Sequence, residues 1–198
     1  MPESVPRLLQ APLALRAFAA KDLRLIQDAS TDPLIPLITS VPSTPDASAA
    51  QDFLTRQLAR LRNGEGYSFA IADSTTDEVL GQIGLWLQNL AQGRASVGYW
   101  VAARHRGRGV ASRALGMIST WGLGLPDVHR LELYVKPWNE ASWRTAEHAG
   151  YEREDLLRSW QVVGDERRDM YMCSLLRAHQ RGSSTGGCCG VHPLTGRV

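Results

Sequence analysis

The stretch from Val97 to Ser112 decides the fold. It reads Val97-Gly98-Tyr99-Trp100-Val101, then Ala102-Ala103-Arg104-His105-Arg106-Gly107-Arg108-Gly109, then Val110-Ala111-Ser112. The first five residues are rich in β-branched and aromatic side chains and read as the end of a strand. Val110, Ala114, Leu115 and Ile118 then recur at helical spacing, so a helix starts at Val110. It runs to Trp121, and Gly122, Gly124 and Pro126 stop it. A strand, a glycine-bearing turn and a helix N-terminus together build an anion site. The first amides of a helix have no partner within it, and the helix dipole adds partial positive charge there. Gly107 and Gly109 let a ligand approach the backbone with no Cβ in the way. Arg104, Arg106 and Arg108 raise the local potential, so a di- or polyphosphate is the natural ligand.

Upstream of this stretch, Leu13–Phe18 alternates like a strand, and Asp22 precedes a short helix carrying Leu23, Leu25 and Ile26. Four prolines between residues 32 and 46 predict a loop with about one turn of structure. Phe53, Leu54, Leu58 and Leu61 give a helix over 49–61, and strands follow at 67–72, 79–87 and 95–101. Downstream, Leu131, Leu133 and Val135 alternate with polar partners in a strand that Pro137 ends. A helix runs from Asn139 to His148 and closes on Gly150. Strands near 156–163 and 169–176 finish the pattern. The order β-α-α-β-β-β-α-β-α-β-β predicts an α/β (α+β) domain with a mixed, mostly antiparallel sheet.

Length and composition agree with one domain. The chain has 198 residues, 43% hydrophobic and 21% charged, and such a length buries roughly 70% of its unfolded surface without a metal or disulfide staple. A formal charge of +2 is too balanced to suggest a nucleic-acid or membrane surface. No apolar run approaches the ~20 residues of a membrane span, and MPESVPRLLQAP lacks a secretory apolar core. The cysteines, Cys173 and the vicinal Cys188-Cys189, form no metal or disulfide framework. These features predict a cytoplasmic protein without a metal. Residues 1–11 read as an N-terminal extension, 12–178 as the domain and 179–198 as a flexible tail.

Which phosphate ligand the loop takes depends on its spacing. The dinucleotide pattern G-x-G-x-x-G fails at Ser112, and no G-K-[ST] completes a Walker A loop. A dinucleotide oxidoreductase also needs a ribose-binding carboxylate about 20 residues on, which the strand after residue 129 does not end in. The pattern R-x-x-G-x-[GA] fits, read as Arg104-x-x-Gly107-x-Gly109. With Pro137-x-Asn139-x-x-Ser142 and Gly150-Tyr151 after the Leu131–Val135 strand, it resembles the GNAT superfamily of acetyl-CoA-dependent N-acetyltransferases. Leu13–Phe18 with Asp22, and Gly164-x-x-Arg167-Arg168-Asp169, extend the resemblance over roughly 12–177. The similarity is greatest to the branch that acetylates ribosomal-protein N-termini.

That resemblance implies a GNAT-type fold, a central sheet of about six to seven strands with helices on both faces. Two middle strands, 95–101 and 130–136, splay apart to take the pantetheine arm of acetyl-CoA, the co-substrate. By the same resemblance, backbone groups of Tyr99, Trp100 and Val101 hold pantetheine, and Arg104 with the loop Arg106, Gly107, Arg108, Gly109, Val110, Ala111 and Ser112 holds the pyrophosphate. Asn139 contacts pantetheine or an ordered water, as well as being placed to cap its helix. The resemblance further implies that Ser142 protonates the departing thiolate. The partners are acetyl-CoA and an amine acceptor, with the chain a monomer or homodimer.

Amine attack on a thioester needs a neutral amine, a donor to the carbonyl oxygen and a proton for the leaving sulfur. An α-amine titrates near ~8 and needs little help, whereas a lysine side chain sits near ~10.4. Some ribosomal N-acetyltransferases carry a glutamate where this chain has Gln161, and glutamine accepts no proton at pH 7. Glu132, on the polar side of the strand lining the gap, is the substitute base, against the plainer reading of an ion-paired strand residue. Tyr134 shares its face. His105 reads as a loop residue, and Trp138 and Trp143 either wall the acceptor site or pack. A protein or peptide α-amine leads as acceptor. Small-molecule amines (antibiotics, amino acids, polyamines) and a non-catalytic acyl-CoA sensor are the alternatives.

Overall fold

The computed structural model describes residues 4–178. The tail from 179, with Cys188-Cys189, lies outside the described residues. In chain order the elements are β1 (Leu8–Gln10), β2 (Leu13–Arg16), α1 (Leu23–Ser30), α2 (Ile35–Ile38), α3 (Ala47–Arg62), β3 (Gly66–Asp73), β4 (Val79–Trp86), β5 (Arg94–Val101), α4 (Val110–Leu123), β6 (Arg130–Val135), α5 (Glu140–His148), β7 (Glu152–Val163) and β8 (Glu166–Leu176). They form one sheet ordered β1-β2-β3-β4-β5-β6-β8-β7. Every neighbouring pair is antiparallel except β5 and β6.

The sheet has eight strands, one more than the upper expectation from sequence. The addition is β1, which pairs with β2 through Leu8↔Leu15. Three residues are too few to show an alternation, so the sequence reads them as patternless. The last hairpin also starts earlier than its apolar pattern. β7 is mostly exposed and slips register between Arg153/Asp155 and between Leu157/Gln161, which breaks the period of two that marks a strand. The expected turn among the prolines is α2, where Asp32 accepts from the amides of Leu34 and Ile35 at 2.9 and 3.0 Å.

Two apolar layers sandwich the sheet. On one face, Leu85, Val97, Leu131, Leu133 and Val135 pack with Val110, Ala114, Leu115 and Ile118 of α4. On the other, Ala70, Val79 and Trp100 pack with Ile26 of α1 and Phe53 and Leu54 of α3. Alternation along a strand sends successive side chains to opposite faces. Each strand near the centre therefore contributes to both layers. Helix α3 is anchored at its start by Asp46, whose side chain accepts from the amides of Ser48 and Ala49. A buried ion pair closes the base of the fold, Arg16 donating to both oxygens of Asp22 at 2.7 and 3.0 Å.

Candidate functional site

The parallel ladder between β5 and β6 spans three pairs, Arg94↔Arg130, Ala95↔Leu131 and Ser96↔Glu132, and then ends. Beyond it, β5 stays bonded to β4 through Val101 and β6 to β8 through Val135. Each strand is held from its outer side while the inner edges part. The gap opens into a cavity of about 780 Å³, and it passes through the sheet. On the α4 face it is walled by Tyr99, Gly107, Gly109, Ala111, Asn139 and Ser142. On the α1–α3 face Ile35, Ile38, Arg60, Trp86, Tyr134 and Lys136 wall it.

At the α4 mouth the backbone supplies the donors. The first bond of the helix runs from the Arg113 amide to the Gly109 carbonyl at 3.1 Å, so the amides ahead of it lack the i−4 partner that later residues have. Gly107 and Gly109 hold φ of +74° and +72°, left-handed values that cost a residue with a Cβ roughly 1–2 kcal/mol. A Cβ at either position meets nothing within 4 Å. Conformation therefore demands these glycines, while the space in front of them is open to a ligand.

The three arginines of the loop lie differently with respect to the cavity. Arg104 does not line the cavity: it turns to Asp28 at 2.8 Å. Arg108 is likewise absent from the wall. Arg106 is on it, donating from Nε to the Val101 carbonyl at 2.9 Å and from a terminal nitrogen to Asp32 at 2.7 Å. The pattern R-x-x-G-x-[GA] also reads two residues later as Arg106-x-x-Gly109-x-Ala111, and this frame is the one whose members all border the cavity. Val110 and Ser112 border it as well, as do Trp100 and Val101 on the strand. The Val101 carbonyl, however, is already engaged by Arg106.

Ser142 and Asn139 both reach the wall. Ser142 Oγ lies 3.0 Å from the Tyr99 hydroxyl. Burial raises the Tyr99 pKa, so the phenol keeps its proton at neutral pH. Sequence reading took only the backbone of Tyr99, and nothing local links residues this far apart. Asn139 stands at the N-cap position of α5, but its side chain makes no capping bond. The amide is therefore not consumed by its own helix.

Glu132 does not line the cavity. Its carboxylate is buried and held by Arg130 at 2.9 Å, Arg94 at 3.3 Å and the Tyr134 hydroxyl at 2.8 Å. Burial works to raise its pKa, but these three donors outweigh it and hold the value below the usual range. A carboxylate so stabilised is a poor base. Tyr134 is the member of that face on the wall, stacked on Trp160 with centroids 5.6 Å apart. Burial, then the bond to Glu132, pushes its pKa up to about 12. Gln161 lines the cavity, and among the described residues no Asp or Glu does.

His105 is on the wall and buried, with Nε2 lacking a hydrogen-bond partner among the described residues. Burial and the nearby Arg104 draw its pKa below the ordinary 6.5. Trp138 and Trp143 are off the wall. Trp138 is exposed, and the Trp143 ring carries the Arg153 guanidinium 4.8 Å from its centroid. The described residues hold no cluster of metal-ligating side chains, and no helix among them is long and apolar enough to cross a membrane.

A family model described as an acetyltransferase (GNAT) domain matches residues 13–152. The chain belongs to the GNAT acetyltransferases. Among curated proteins, it is similar to the uncharacterized N-acetyltransferase p20 of Bacillus licheniformis, 28% identical over 170 residues that cover 86% of this chain and 96% of that one. Among solved structures it resembles Mycobacterium smegmatis RimJ in complex with CoA-disulfide, at a TM-score of 0.73 and 25% identity over 88% of each chain. The spermidine N-acetyltransferase of Vibrio cholerae, in complex with CoA and spermine, shares the fold at a TM-score of 0.70 and 18% identity over 85% of this chain and 97% of that one.

GNAT acetyltransferases use acetyl-CoA, and the cavity of this one fits it. The unpartnered amides and open space at Gly107 and Gly109 suit a diphosphate. The parted edges of β5 and β6 suit an extended arm with amide groups of its own. Sequence reading missed Arg60, Trp86 and Lys136, and it singled out neither Ile35 nor Ile38 within the proline-rich loop 32–46; no motif marks them. The alternation of β6 alone could have put Lys136 on the same face as Tyr134.

Proposed function

We propose that this GNAT acetyltransferase acts in the cytoplasm on the α-amine of a protein or peptide, by direct attack on the thioester. The carrying observation is the makeup of the wall, which holds Arg60, Arg106 and Lys136 but no carboxylate among the described residues. A polyamine bears several positive charges and needs carboxylates to replace its lost hydration. An α-amine is a single ionisable group with a pKa near ~8. Enough of it is neutral at pH 7 to react without a strong base in the wall.

Acetyl-CoA supplies an activated acetyl thioester. The amides from Gly107 to Ser112 bind its diphosphate, that of Arg106 being given to the Ala103 carbonyl at 3.2 Å, and Asn139 orients the arm between the strands. Ser142 holds a proton for the sulfur, and Tyr99, within hydrogen-bond reach of Ser142 Oγ, replenishes it. The Tyr134 side of the gap receives the amine, which positions acceptor and thioester from opposite faces of the sheet.

The test is acetylation, read by mass spectrometry, of Ser-, Ala- and Met-initiated peptides beside lysine side chains, polyamines, amino acids and aminoglycosides. Turnover confined to peptide α-amines is expected. Turnover of polyamines alone overturns the acceptor assignment. Gln161 on the wall, with no carboxylate beside it, favours one second reading: an acyl-CoA sensor. Binding of acetyl-CoA with no turnover of any amine, restored by Gln161→Glu, would support it.

A further inference from the structure

Lys136 follows the last residue of β6 and is only 6% exposed, yet it borders the cavity. The other two cations of the wall have counter-charges. Arg60 pairs with Glu65 at 3.0 Å and Arg106 with Asp32 at 2.7 Å. Burial draws the Lys136 pKa down, and no neighbouring charge or hydrogen bond among the described residues opposes it. The stem is buried, while the ammonium makes no hydrogen bond among the described residues and is not itself fully enclosed, so a group that enters the cavity is its natural counter-charge.

Two anions come into question, a phosphate of acetyl-CoA and a group on the acceptor. The sheet separates them. Leu131, Leu133 and Val135 face α4 and pack with Val110 and Leu115, at the end of the helix where the diphosphate amides lie. By alternation, Tyr134 and Lys136 face the other way, toward the mouth walled by Ile35, Arg60 and Trp86. Resting on the α-amine reading above, we propose that Lys136 receives a carboxylate carried beside the reacting amine, so that the preferred acceptor is a peptide with Asp or Glu in its first residues. The pairing would hold the amine by a charge-assisted hydrogen bond at a fixed distance from its own backbone.

The test compares peptides identical except for Asp against Asn, or Glu against Gln, at the second position, together with free aspartate and glycine. The full-length protein and its Lys136→Met and Lys136→Arg variants are assayed by mass spectrometry, with acetyl-CoA affinity measured by calorimetry. The parent is expected to favour the acidic peptide at least tenfold in kcat/KM. Lys136→Met is expected to bring that ratio near one and Lys136→Arg to keep most of it, with acetyl-CoA affinity unchanged in both. Equal use of acidic and amide peptides by the parent overturns the inference while leaving the α-amine reading intact, and this result needs no variant to fold. Weakened acetyl-CoA binding in Lys136→Met also overturns it, assigning the lysine to the co-substrate. Acetylation of free aspartate and glycine but of no peptide would refute the peptide reading and keep the carboxylate. No turnover of either refutes both.

Discussion

The hydroxyl groups of Tyr99 and Ser142 lie 3.0 Å apart across the join between β5 and α5. A raised Tyr99 pKa, caused first by burial, keeps the phenol protonated, so the pair is a two-hydroxyl donor aimed into the gap. Ser142→Ala should lower kcat on the order of 10²-fold, the low end of what a positioned acid contributes. Acetyl-CoA affinity by calorimetry should stay near that of the parent. Tyr99→Phe keeps the ring and should cost less, because Ser142 retains its own proton. An unchanged kcat in Ser142→Ala would remove the serine from the mechanism.

Gly107 offers a separation of charge from conformation. Asn tolerates the left-handed region better than other side chains, and a Cβ here meets open space. Gly107→Asn should therefore fold with a modest loss of acetyl-CoA affinity. Gly107→Asp, nearly the same shape, places a carboxylate against the diphosphate and should weaken binding by a further factor of about 100 or more, a like-charge cost of several kcal/mol. Equal affinities for the two variants would mean that no phosphate sits at this turn.

Glu132 ties stability to pH. Its folded pKa lies below the ordinary 4.5 because Tyr134, Arg130 and Arg94 donors outweigh the opposing effect of burial. The unfolded chain binds the proton first, so the stabilisation is complete above pH 4.5 and disappears as pH falls through the folded value. Melting curves of the parent and Glu132→Gln should therefore differ most near neutral pH and converge below 4.5. A gap that stays constant down to pH 3 would show that the carboxylate charge contributes nothing.

The Arg16–Asp22 pair is buried, at 7% and 1% exposure, and Asp22 also accepts the Ala19 amide at 2.8 Å. Removing Arg16 strands the buried Asp22 carboxylate, whereas Arg16 without Asp22 would still have Asp77, which its Nε meets at 2.8 Å. Arg16→Met should cost about 3–5 kcal/mol in urea unfolding. Neither residue lines the cavity, so kcat of the folded protein should be preserved. A loss under 1 kcal/mol would mean that water reaches Asp22 once its partner is gone.

Short-range chemistry carried much of this protein into its sequence. Periods of two and 3.6 residues reveal the strands and helices whose apolar faces are buried, and the Gly-rich turn into α4 and the Asn139–Ser142 helix start follow from backbone rules acting over a few residues. Those cues were enough for the layered fold, the anion-binding helix end and the family resemblance. They failed where the period failed, in the three-residue β1 and the twice-slipped β7.

Placement within the cavity is a different matter. Arg104, Arg106 and Arg108 are alternate residues of one loop, and no local rule distinguishes them. Asp28 draws the first outward, while Asp32 and the Val101 carbonyl hold the second at the wall. Glu132 was legible as a charged strand residue but not as the centre of a cluster with Arg94, Arg130 and Tyr134. The meeting of Tyr99 with Ser142, the isolation of Lys136 and the parting of β5 from β6 after Ser96 and Glu132 all depend on groups from separate elements. By itself the sequence determined which segments form and what chemistry each can offer. Only tertiary structure decided which side chains spend that chemistry on one another and which still face the cavity.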